Sequence, residues 1–136
     1  MIQSAEEFVQ LRTSEVEEDY HRAAHDQAPE SVWLDVIREY PAMREWIPHN
    51  KTAPLTVLRI LAEDHDPRVR MVVAGVRRAG DVILRLLATD VDSSVRRAVA
   101  FNAKAPGDVL ETLVQDSYEH VAAPARSRLL REATKK

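Results

Sequence analysis

Apolar residues along this chain recur with a helical period, and the pattern itself recurs. Val57, Leu58 and Leu61 take the i, i+1, i+4 spacing of one helix face, and Val69, Val72, Val73 and Val76 take i, i+3, i+4, i+7. A step of 26 residues brings Ile83, Leu84, Leu87, Val95 and Val99, and a second step brings Val109, Leu110, Leu113 and Val121. Upstream, Val32, Trp33 and Val36 precede Val57, Leu58 and Leu61 by 25, while Met43, Arg44 and Ile47 precede Val69, Arg70 and Val73 by 26. Each copy therefore predicts two short helices, and the chain predicts about four copies of 25–26 residues over 28–130.

The polar residues punctuate this pattern. Pro54, Pro67 and Pro106 stand where a helix begins, the one place where a missing N–H costs nothing. Asp64-His65-Asp66 and Asp90-Val91-Asp92 supply the turns between helices, with Asp66 and Asp92 as N-caps. Asn50 and Asn102 end their second helices, where a left-handed residue is expected. Ser4-Ala5-Glu6-Glu7 reads as a capping box ahead of Phe8 and Leu11, and Thr13 or Ser14 is placed to cap a helix through Tyr20. Isolated helices shorter than roughly 12–15 residues are marginal in water, so these must cover one another's apolar faces. The expectation is an all-α protein of one domain. It comprises an N-terminal helical cap (1–27) that, with Trp33, Tyr40 and Trp46, closes one end, then the repeats, then a tail (131–136). Leu58, Leu61, Leu84, Leu87, Leu110 and Leu113 form its buried spine.

Two copies carry one signature: Val57-Leu58, Leu61-Ala62, Asp64, Asp66, Val69-Arg70, Val73-Ala74, and then Ile83-Leu84, Leu87-Ala88, Asp90, Asp92, Val95-Arg96, Val99-Ala100. This pattern resembles the leucine-rich-repeat-variant and HEAT-like α-solenoid repeats. The resemblance implies a short right-handed solenoid of antiparallel helix pairs, in which the Asp and Arg columns pair as a hydrogen-bonded ladder. The last copy departs from it: Ala122 stands in the arginine column and Pro124 falls inside the second helix, as in an atypical terminal repeat.

Composition removes whole classes of chemistry. The absence of cysteine excludes disulfides, thiolate metal sites and cysteine nucleophiles. No signal peptide opens the sequence, and no run approaches the roughly 18 apolar residues of a membrane span, so the expectation is a cytoplasmic protein that does not engage membranes. Net charge is −3, distributed unevenly: residues 1–66 hold 6 Lys/Arg against 14 Asp/Glu, and residues 67–136 hold 13 against 8. Arginine outnumbers lysine 15 to 4, which favours forked contacts to carboxylates or phosphates.

Candidate chemistry is sparse. His21 and His25 have the i, i+4 spacing of a zinc pair but lack the glutamate of a metalloprotease motif, and read as surface histidines. No phosphate loop, nucleophile elbow or dinucleotide fingerprint occurs, so neither catalysis nor a cofactor, metal or small-molecule substrate is expected. Binding remains. Met71 and Phe101 put large apolar groups between solvent-facing positions, and Phe101 takes the place held by Gly75 one copy earlier. Arg68, Arg78 and Arg97 leave the ladder column and are expected to face solvent beside them. Glu17, Glu18 and Asp19 start an acidic helix that projects negative potential. Solenoids of this kind present an extended surface to a partner, so the resemblance implies a protein-binding module, monomeric when free. By its small size and that fold the chain resembles the immunity proteins of bacterial toxin systems, which implies an inhibitor of a basic partner such as a toxin domain. The alternatives are a scaffold subunit of a larger complex, or a nucleic-acid-binding relative of the HEAT-like alkylpurine DNA glycosylases. A sequence pI near 5.9 disfavours the nucleic-acid reading.

Overall fold

The computed structural model describes residues 1–135, and among them every regular element is helical. The chain divides into two compact units, the first Met1–Leu61 and the second starting at Ala62.

The first unit contains α1 (Ala5–Thr13), α2 (Glu17–His25), α3 (Glu30–Glu39), a 3-10 helix over Pro41–His49, and α4 (Leu55–Leu61). Helix α1 packs on α2 and α3, and α3 packs on the 3-10 helix and α4. Their shared core centres on Phe8 and Trp33, fully buried and edge to face at 5.1 Å, with Ile2, Val36 and Ile47 around them. Ser4 caps α1 through Glu7 N (3.1 Å), while the Glu7 carboxylate reaches back to Gln3 N (2.7 Å), one residue before the box position. Neither Thr13 nor Ser14 caps α2, whose cap residue is Val16. Thr13 donates to Val9 O in α1, and Ser14 instead bridges Val16 N and the Asp19 carboxylate. The second helix of the first copy is 3-10 rather than α. Pro41 opens the segment, where its missing N–H costs nothing, whereas Pro48 falls inside it and removes a backbone donor, and the segment keeps the tighter 3-10 form.

The second unit contains α5 (Pro67–Gly75), a 3-10 turn Arg77–Ala79, α6 (Gly80–Leu87), α7 (Ser93–Phe101), α8 (Gly107–Val114) and α9 (Glu119–Thr134). Helix α7 packs between α5 and α9, while α6 contacts α5 and α7, and α8 contacts α7 and α9. Asp66 and Asp92 cap α5 and α7 by accepting from the backbone N–H two residues on (2.9 and 2.8 Å). The preceding aspartates Asp64 and Asp90 each accept from the N–H of that cap residue (2.9 Å), so the Asp-x-Asp turn is closed by its own side chains. Gly80 stands in place of the proline and adopts φ +84, a conformation only glycine enters freely. Helix α9 runs through Pro124 and continues over 131–134, positions expected as tail. Good helix formers and a Glu132 contact to Arg128 one turn earlier carry it on. The six spine leucines are each at most 1% exposed within their units.

The two asparagines do not enter the left-handed region: Asn50 (φ −77) and Asn102 (φ −71) are extended, and among the core positions they are the buried polar residues. Their side chains explain why. Asn50 Nδ2 donates to the carbonyls of Ala23 and Asp26 at the end of α2 (2.8 and 2.9 Å), and its Oδ1 accepts from Thr52 N (2.8 Å). Asn102 repeats this in the second unit, donating to Ala74 and Val76 at the end of α5 (2.8 and 3.0 Å) and accepting from Lys104 N (2.8 Å). Each amide therefore satisfies carbonyls that a neighbouring helix leaves orphaned at its C-terminus. One step of 26 later, Arg128 does the same for α7, donating to the carbonyls of Asn102 (2.5 Å) and Ala103 (3.1 Å).

Candidate protein-binding surface

The arginine column is consumed by the fold. Arg70 grips Asp90 with Nε and Nη2 (2.8 and 3.1 Å) and spends Nη1 on Asp64 O (2.7 Å). Arg96 grips Asp116 (2.7 and 3.3 Å) and spends Nη1 on Asp90 O (2.7 Å), the same geometry one copy later. These side chains are only 13% and 14% exposed, so they hold helices together and do not reach for a ligand. The hydrogen bonds from Arg96 hold the Asp116 carboxyl below the usual carboxylate range.

The remaining candidates divide into groups. On α5, Arg68 is well exposed and turns back on its cap residue, with Nη2 3.1 Å from Asp66 Oδ2. Met71 stands one turn on, 37% exposed, at a small cleft that Pro67, Arg68, Asp92 and Ser94 complete. On α7, Phe101 is 57% exposed, and the Arg97 guanidinium lies over its ring, Cζ to centroid 4.7 Å. The 26-residue step places Met71 and Arg97 at equivalent positions of neighbouring helices. Arg78 does not join them. It is half-buried where solvent exposure was expected, because the 3-10 turn after α5 tucks it in, and burial lowers its pKa. The acidic candidates lie in the first unit: Glu17 and Glu18 are exposed on α2, whereas Asp19 is half-buried and accepts the Ser14 hydroxyl (2.8 Å).

Two features escaped the sequence reading. In the first unit the Arg12 guanidinium sits 3.7 Å from the Trp46 ring centroid and 4.6 Å from that of Tyr20, so Trp46 is half-buried under a cation and not in the core. In the second, an open groove of about 250 Å³ runs between Phe101 with Ala103 and the last turns of α9, where Arg128, Arg131, Glu132 and Lys135 form one stripe. Their spacing is i, i+3, i+4, i+7, one face of a helix that extends into the positions expected as tail.

His21 and His25 stack at 4.3 Å between ring centroids, and among the described residues no group of three potential metal-ligating side chains assembles around them or elsewhere. Also among the described residues, no helix is long and apolar enough to cross a membrane. Compared with protein-family models, curated proteins and solved structures, the chain finds no match.

Proposed function

We propose that this chain is a non-catalytic protein-binding module built from HEAT-like helix pairs stacked as a short right-handed solenoid. The Arg–Asp pairing repeated at a 26-residue step supports the architecture. One observation carries the binding role: Phe101 exposes an aromatic ring at a column that elsewhere holds His49, Gly75 and Ser127, so the repeat does not require a large apolar side chain there. Exposed aromatic and arginine side chains side by side are the usual anchors of a protein interface.

Within that class the role is an inhibitor's, that of an immunity protein covering a basic partner such as a toxin domain. The first unit supports it, with 6 Lys/Arg against 11 Asp/Glu over residues 1–61 and with Glu17 and Glu18 exposed. Such a field speeds the encounter with a basic protein, while apolar anchors set the lifetime of the complex. The test is capture from nuclease-treated lysate of the native cell, followed by kinetics on the captured protein. A basic protein that co-elutes at equal stoichiometry, dissociates faster from Phe101→Ala, and associates more slowly with Glu17→Lys/Glu18→Lys is the expected result. Association that quickens on charge reversal, or a captured species that is nucleic acid, refutes it.

A further inference from the structure

We propose that the groove between the C-terminal ends of α7 and α9 seats an acidic, apolar-anchored segment of a protein partner. The inference rests on reading the α7 face as a protein-binding surface and adds the chemistry of what lies there. Phe101 supplies the apolar wall. Arg128 is committed: it holds the carbonyls of Asn102 and Ala103, is 11% exposed, and so fixes the floor and does not reach outward. Arg131 and Lys135 are exposed and project from the next turns of the same stripe. Glu132 lies 3.8 Å from Arg128 and 3.9 Å from Lys135, so a single carboxylate faces both. Three cations thus line this groove against one anion, and the Arg97 guanidinium lies over the ring of Phe101.

An occupant that complements the site carries carboxylates for Arg131 and Lys135, and an apolar side chain for the exposed ring. Arginine forks favour planar carboxylates. Nucleic acid also offers anions and stackable rings. A polyanion, however, meets the whole chain's charge of −3 and the Glu132 carboxylate in the groove, whereas a short acidic segment samples only the local excess of cations. A partner with a basic body and an acidic anchoring segment fits both this groove and the acidic first unit.

Fluorescence anisotropy on the full chain tests this with three labelled probes: a short glutamate peptide carrying one central leucine, its lysine counterpart, and an oligothymidylate of similar length. The glutamate–leucine peptide is expected to bind. Affinity should drop about tenfold or more on changing its leucine to serine, on Phe101→Ala, and on Arg131→Glu/Lys135→Glu. All three protein positions are exposed, so the variants keep the wild-type circular dichroism. If the glutamate peptide fails to bind, or binds these variants as well as wild type, the groove assignment falls. Phe101-dependent binding of the lysine peptide instead refutes the acidic occupant and leaves the protein-binding reading standing. Phe101-dependent oligothymidylate binding tighter than either peptide overturns both.

Discussion

Replacing Asn102 tests how far buried amides, and not only apolar packing, hold the second unit together. Asn102 is 3% exposed, and its amide makes two donated bonds to Ala74 O and Val76 O and one accepted bond from Lys104 N. Asn102→Ala deletes all three. At a net worth of about 1 kcal/mol per bond the loss approaches 3 kcal/mol, and water reaching the part-buried Val76 and Lys104 groups trims it to roughly 2–3 kcal/mol. Asn102→Asp is the sharper probe, because it keeps the acceptor for Lys104 N but turns a carboxylate oxygen on two carbonyl oxygens. Burial and the two facing carbonyl oxygens raise that carboxyl above its unfolded value of about 3.9. The charged form is then the destabilised one. The variant's deficit relative to wild type is therefore full at neutral pH and shrinks as pH falls through the raised folded value. Urea denaturation followed by far-ultraviolet circular dichroism, at pH 7 and pH 5, measures both. The reasoning is refuted if Asn102→Ala lies within about 0.5 kcal/mol of wild type, the range of an ordinary surface change. It is equally refuted if the Asn102→Asp deficit does not shrink with acid.

Two more predictions concern the same unit. Leu87→Ala opens a cavity at a side chain 1% exposed in α6 and should cost about 2–5 kcal/mol, read as a lower urea midpoint; an unchanged midpoint removes Leu87 from the core. Asp116→Asn leaves the part-buried Arg96 without its counter-charge and should cost about 3 kcal/mol at neutral pH. Because the folded carboxyl of Asp116 titrates below its unfolded value, its stabilisation is present above that value and is lost as pH falls through the folded one. The variant should thus show a flatter loss of stability than wild type below about pH 4, and a parallel acid limb speaks against the pair.

Much of this architecture is local and was legible in the sequence. Period-3.6 apolar spacing, proline at helix starts and the Asp-x-Asp turns depend on residues within a few positions of each other, and Asp66 and Asp92 cap the helices that the pattern predicts. The 26-residue spacing also brought Arg70 and Arg96 into one column, and their carboxylate partners lie 20 residues ahead in the next turn. What the sequence could not decide depends on groups distant along the chain. Asn50 and Asn102 look like helix-ending residues suited to a left-handed turn. Their actual conformation is set by carbonyls 24 to 28 residues earlier that only tertiary packing brings within reach. The same holds for Arg78, drawn in where the chain bends after α5, and for Trp46, which meets the Arg12 guanidinium from α1. The groove at Phe101 exists because α9 continues past Pro124 and Arg128 finds the orphan carbonyls of α7. Short-range sterics and hydrophobic periodicity determine helices. Which unsatisfied donor meets which orphan acceptor is decided only when those helices pack, because burial is what makes leaving them unpaired costly.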